Sequence, residues 1–112
     1  MNIKISIEDR VAVLTICRPK ALNALNQEVL SELYQFFTKD ISTCDIMGVI
    51  ITGDGEKSFV AGADISEFRE VKPGDSMGAE RGHEVFNAIE NCHLPVIAAV
   101  NGYALGGGCE LA

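Results

Sequence analysis

Two apolar runs of strand length, Met47-Gly48-Val49-Ile50-Ile51-Thr52 and Val96-Ile97-Ala98-Ala99-Val100, constrain the fold of this chain more than any other feature. The first is closed by Gly53-Asp54-Gly55 and lacks apolar-polar alternation, which predicts a strand covered on both faces. The second is opened by Pro95 and closed by the turn pair Asn101-Gly102. Each run is followed by a shorter extended piece, Ser58-Phe59-Val60-Ala61 after the first and Tyr103-Ala104-Leu105 after the second. At the front of the chain, Ile3-Lys4-Ile5-Ser6-Ile7 alternates, and Val11 to Ile16 follows a charged Glu8-Asp9-Arg10 turn. That is the pattern of a hairpin, stopped by Pro19.

Helical segments separate these strand pairs. Asn26 is placed to cap a helix and Glu28 suits its positive end, while Val29, Leu30, Leu33, Tyr34, Phe36, Phe37 and Ile41 recur at helical spacing to about Thr43. Ile65 to Arg69 can form a helical turn before Pro73-Gly74 breaks it. Asp75 or Ser76 then caps a second helix with Val85, Phe86, Ile89 and Cys92 facing inward. After Gly106-Gly107-Gly108, the residues Cys109-Glu110-Leu111-Ala112 read as the start of a further helix. The order is a β-β-α unit met nearly three times without a close sequence repeat, so the repetition is architectural and the fold class is α/β. A final helix this short has too few hydrogen-bonded turns to hold itself. Residues 1–112 are therefore expected to be the N-terminal part of a single domain, cut at the start of its third helix.

With 112 residues, 47% of them apolar and 22% charged, the chain can bury one modest core but not a separate lid or cofactor domain. Sixteen acidic residues against nine basic ones leave a net charge of −7, which argues against nucleic acid or an acidic membrane as partner. No apolar run approaches the ~20 residues of a spanning helix, and Met1-Asn2-Ile3-Lys4 lacks the pattern of a secretion signal. A cytoplasmic protein is expected. Cys17, Cys44, Cys92 and Cys109 form no C-x-x-C pair and accompany no histidine cluster, so they are expected to be reduced and buried, with no metal site. His83 and His93 fit no recognisable Ser, Cys or acid arrangement and read as surface or loop residues.

Chemistry is concentrated in two glycine-containing turns. Three consecutive glycines before a helix expose backbone N–H groups that no side chain screens, and negative charge is stabilised there. A flexible turn, or tight packing of the helix on a neighbouring strand, explains the same glycines. A phosphate-binding loop fits poorly, because Gly108 is followed by Cys109-Glu110 rather than Lys-Ser/Thr, and the G-x-G-x-x-G spacing of dinucleotide folds is missing. Gly62-Ala63-Asp64 is a second sharp turn at a strand end. Two such turns in successive units can lie side by side and offer two N–H donors to one oxygen, with the Glu110 carboxylate nearby for acid–base work. By spacing alone Glu110 reads as the plainer case, compensation of the helix dipole at about 0.3–1 kcal/mol.

The runs Arg18-Pro19-Lys20-Ala21-Leu22-Asn23-Ala24-Leu25, Ser58-Phe59-Val60-Ala61-Gly62-Ala63-Asp64-Ile65 and Pro95 to Ala112 closely resemble the crotonase family, specifically its enoyl-CoA hydratase branch. The resemblance spans the chain. It implies a crotonase-like spiral of β-β-α turns, here incomplete, that binds an acyl-CoA thioester as substrate and needs no further cofactor. Matched residue to residue, the amides of Ala63 and Gly107 are the oxyanion donors and Glu110 is the carboxylate that binds and deprotonates water. The loop Lys20, Ala21, Leu22 and Ala24, with the turn Ala61, Ala63, Asp64 and Ile65, corresponds to the family's coenzyme A contacts, and Gly107 belongs to the substrate site as well. Lys20 or Arg18 is a candidate for approaching a phosphate.

The resemblance further implies addition of water across the C2=C3 bond of a short-chain 2-enoyl-CoA, in a homo-oligomer of trimers or paired trimers. The family's second catalytic glutamate, roughly 20 residues further on by analogy, lies past Ala112. The 112-residue chain alone is therefore expected to have little or no hydratase activity and to expose apolar faces. The alternatives are another crotonase activity, such as enoyl-CoA isomerisation or thioester hydrolysis, the hydratase front half of a multifunctional β-oxidation protein, and a non-catalytic fragment that binds CoA or a partner.

Overall fold

A computed structural model of the chain describes residues 2–62 and 77–112. The order of elements follows the expected units: β1 (Ile3–Glu8), β2 (Val11–Ile16) and α1 (Gln27–Gln35), running on into α2 (Ile41–Thr43); β3 (Gly48–Gly53), β4 (Ser58–Val60) and α3 (Met77–Glu90); β5 (Val96–Ala99), β6 (Tyr103–Ala104) and α4 (Gly107–Leu111). The helical turn expected at Ile65 to Arg69, the break at Pro73-Gly74 and the cap at Asp75 or Ser76 lie outside the described residues.

The hairpin forms as the alternation predicts. β1 and β2 pair antiparallel from Ile3 opposite Ile16 to Glu8 opposite Val11. Asp9 and Arg10 both take left-handed φ, 51° and 66°, as a two-residue hairpin turn with matching twist requires. The later strand pairs differ from expectation, because their members do not pair with each other. β3 joins β2 in parallel and β5 joins β3 in parallel, giving the order β1-β2-β3-β5, while β4 and β6 form a separate parallel two-stranded sheet. Parallel pairing needs a crossover. β2 reaches β3 through the helical segment alone, whereas the β3-to-β5 and β4-to-β6 crossovers make neighbours of corresponding strands in successive units.

The Asn26 cap is present, its side chain accepting the Val29 N–H at 2.9 Å. Beyond Gln35 the helix widens into a π-helical stretch, Phe36–Asp40. Phe36, Phe37 and Ile41 are all buried along this stretch. The two phenylalanine rings meet edge to face, their centroids 5.1 Å apart. Val29, Leu33 and Phe36 share one cluster with Ala12, Leu14, Ile16, Val49 and Ile51, and α3 adds Val85. Full burial of each large side chain contributes about 1.5–3 kcal/mol.

β3 is covered less completely than its run suggests. Val49 and Ile51 are buried on the helix-covered face, but Ile50 and Thr52 on the other face are only half-buried. The register aligns Val13, Ile50 and Ile97 across that second face, and Ile97 is 60% exposed. Met47, Val100, Tyr103 and Leu105 are also exposed, in keeping with the expected open apolar surface. Among the described residues, no helix is long and apolar enough to cross a membrane.

Candidate active site

The first part of the site is the loop after β2. Pro19–Ala21 form a single 3-10 turn, preset by proline, and Leu22 and Asn23 then take left-handed φ of 52° and 59°. Asparagine accepts that conformation readily, whereas for leucine it costs roughly 1–2 kcal/mol. Side-chain bonds hold the loop in this shape. Asn23, only 1% exposed, accepts the Arg18 N–H at 2.9 Å and donates to the carbonyls of Asp54 at 3.0 Å and Ser58 at 2.9 Å. Arg18 is half-buried and its guanidinium donates to the Ala24 carbonyl at 2.7 Å, so it braces the loop. Lys20 is exposed, as is Leu22, while Ala21 is half-buried and Ala24 turns inward. A cavity of about 400 Å³ opens here, lined by Pro19, Leu22, Asn23 and the turn Asp54 to Ser58.

The second part follows β4. The Ala61 N–H donates to the Leu22 carbonyl at 3.2 Å and the Leu25 N–H to the Gly62 carbonyl at 2.8 Å, so the two expected coenzyme A segments are zipped together. Gly62 has φ of 106°, a conformation that glycine alone takes without strain. Ala63, Asp64 and Ile65 lie outside the described residues.

The third part is the glycine turn. The Leu105 N–H donates to the Val60 carbonyl at 3.2 Å, and Gly106 turns the chain with φ of 50° into α4, which begins at Gly107 and carries Glu110. Gly108 sits where a Cβ would run into the Val60 carbonyl, and a Cβ on Gly62 would come within 3.4 Å of the Leu105 carbonyl. Tight packing on a neighbouring strand thus accounts for Gly108, and the left-handed turn accounts for Gly106. Together they bring the residues flanking Gly107 against the residues that precede Ala63.

A polar hub lies behind these turns. Asn101, read only as half of a turn, donates to the carbonyls of Gly53 and Gly55, each at 2.8 Å, and accepts the Gly53 N–H at 3.2 Å. The Ser58 hydroxyl donates to the Leu22 carbonyl at 2.7 Å. A buried asparagine between Leu22 and Ala24 was the available signal, because an amide in an apolar stretch must find partners.

The cysteines carry free thiols, but the expectation of full burial is corrected: Cys17, Cys44 and Cys92 are half-buried and Cys109 is exposed. Cys17 directly follows β2 and its thiol donates to Asp54 Oδ2 at 3.3 Å, while Cys109 lies on α4. His83 and His93 are exposed. Among the described residues no group of three or more His, Cys, Asp or Glu is placed to share a metal ion.

The loop after β2, the end of β4 and the glycine turn are thus held together by main-chain bonds, and comparison with known proteins places the chain in a family. A sequence model of the family described as Enoyl-CoA hydratase/isomerase matches residues 6–112. The chain is 51% identical to the short-chain-enoyl-CoA hydratase of Clostridium acetobutylicum, covering 99% of this chain and 43% of that protein. It is 50% identical to the crotonyl-CoA hydratase of Syntrophomonas wolfei, again over 99% of this chain and 43% of that protein. The crystal structure of an enoyl-CoA hydratase from Bacillus anthracis superposes with a TM-score of 0.88 at 33% identity, over 99% of this chain and 44% of the other. The chain belongs to the enoyl-CoA hydratase/isomerase family, and it spans less than half the length of these relatives.

Proposed function

We propose that the protein adds water across the C2=C3 bond of a short-chain 2-enoyl-CoA thioester. The observation that carries this reading is the contact of Gly108 with the Val60 carbonyl, beside the Leu105 to Val60 hydrogen bond. It sets the glycine turn against the end of β4, which supports the reading in which the amides of Ala63 and Gly107 serve one thioester oxygen. As water adds at C3, electron density moves onto that oxygen and an enolate develops. Donors already aimed there stabilise charge that the substrate barely carries, and one such donor is worth about 2.7–4 kcal/mol.

Glu110, on α4 three residues past Gly107, takes the role of binding the water and removing its proton. Lys20, Ala21, Leu22, Ala24, Ala61, Asp64 and Ile65 line the coenzyme A. Acyl-CoA is the substrate and no separate cofactor is invoked. Glu110 matches one glutamate of the hydratase pair, and no residue is assigned here to protonate C2. The chain by itself is accordingly proposed to bind the ester and turn it over slowly or not at all. Assembly into a homo-oligomer completes the proposal.

The test is loss of enoyl-thioester absorbance with crotonyl-CoA, alongside calorimetric binding of the same ester. The 112-residue chain is expected to bind without measurable hydration. Rapid hydration by that chain refutes the assigned division of catalytic groups, and failure to bind refutes the site. Shift of a 3-enoyl-CoA double bond without hydration favours the isomerase alternative.

A further inference from the structure

Two segments of the site converge on one short turn, Gly53 to Ser58. From one side the coenzyme A loop grips it through Asn23, which donates to the carbonyls of Asp54 and Ser58, while the Ser58 hydroxyl donates back to the Leu22 carbonyl. From the other side, the segment leading into the glycine turn grips it through Asn101, which bonds Gly53 N–H, Gly53 C=O and Gly55 C=O. The Tyr103 N–H adds a bond to the Lys57 carbonyl at 3.1 Å, and Gly102 packs so closely on Lys57 that a Cβ there would overlap its carbonyl.

Each amide engages both a donor and an acceptor. Filling space does not require this, since a buried amide pays a desolvation cost that an apolar side chain avoids. At Asn23 that cost falls beside consecutive left-handed residues, one of them an exposed leucine. Strain of this kind persists where surrounding bonds over-determine it, and it gathers at sites where geometry matters.

We infer that Asn23 and Asn101 are positioning residues, which act through the shared turn to set the coenzyme A loop and the Gly106–Gly108 turn at a fixed separation. This rests on the functional reading above. The two have separable effects. Asn23 governs the loop that meets coenzyme A, and Asn101 governs the arm that ends in the Gly107 amide.

The substitutions Asn23→Asp and Asn101→Asp keep size and the acceptor but turn a donor into an acceptor facing two carbonyls. Asn23→Gly, which tolerates the left-handed backbone, and Asn101→Ser serve if the Asp variants do not fold. Two readouts are taken on folded protein: the calorimetric Kd for free CoA, and the shift of the thioester carbonyl stretch of bound crotonyl-CoA. Substitution at Asn23 is expected to raise the Kd for CoA about tenfold, the equivalent of about 1.4 kcal/mol, with the carbonyl shift retained. Substitution at Asn101 is expected to shrink the carbonyl shift and leave the Kd for CoA within about twofold, a change under about 0.5 kcal/mol.

If the variants lose thermal stability while both readouts stay at parent values, the residues are structural only and the inference fails. It also fails if either substitution moves both readouts alike. If the unmodified protein does not bind CoA, the functional reading itself falls and takes the inference with it, an outcome that the parent control separates from the others.

Discussion

Replacing Gly108 with alanine separates helix propensity from geometry. By propensity alone the change stabilises, since alanine outranks glycine in a helix by no more than about 1 kcal/mol. Geometry opposes it, because the new Cβ would collide with the main-chain carbonyl of Val60, which cannot rotate away as a side chain would. Relief requires α4 to draw back from β4. An overpacked contact costs about 1–3 kcal/mol, and opening the Leu105 to Val60 hydrogen bond adds about 0.5–1.5 kcal/mol. Destabilisation therefore wins.

Among the described residues, nothing lies within 4 Å of a Cβ added to Gly82 on α3, so Gly82→Ala is expected to stabilise by about 0.5–1 kcal/mol. Urea unfolding followed by far-ultraviolet circular dichroism compares the two at a shared slope. Opposite shifts of midpoint are expected, and Gly108→Ala should also weaken crotonyl-CoA binding. A Gly108→Ala protein as stable as its parent would falsify the close approach of α4 to β4.

Other outcomes follow from the same contacts. Asn26→Ala removes the bond to the Val29 N–H and should lower stability by about 1 kcal/mol in the same urea assay. Leu33→Ala, in the fully buried stripe of α1, should cost about 2–5 kcal/mol, a large share of the 5–15 kcal/mol typical of a domain; a loss under ~1 kcal/mol contradicts the packing. Cys109 should be alkylated first under native conditions, read by peptide mass, because the other described thiols are half-buried. Glu110→Gln should retain crotonyl-CoA binding yet abolish hydration wherever the parent protein shows it. Ile97→Lys should reduce concentration-dependent association in sedimentation, since it breaks the Val13–Ile50–Ile97 row.

The elements of this fold were legible because each is set by local chemistry. Alternation at Ile3 to Ile7, the Asn26 cap and the helical stripe from Val29 to Ile41 all fall where the spacing puts them. Strand partners were not legible, since β4 finds β6 across α3 and β5, a distance in sequence that local pattern does not report. The π-helical turn at Phe36–Asp40 has no local mark either, since its residues keep ordinary helical spacing. In the site, Gly106 and Gly108 were visible as a motif, but their division into a turn and a close contact depends on Val60, far away in the chain. The hub of Asn23 and Asn101 is similarly non-local, because an asparagine beside a turn looks the same whether or not distant carbonyls await it.

The central claim is that the amides of residues 63 and 107 share one thioester oxygen. A crystal structure of the protein with a bound acyl-CoA measures this directly. The account predicts that oxygen within about 2.7–3.2 Å of both amide nitrogens. An ester seated in the site with its oxygen out of reach of either amide contradicts it.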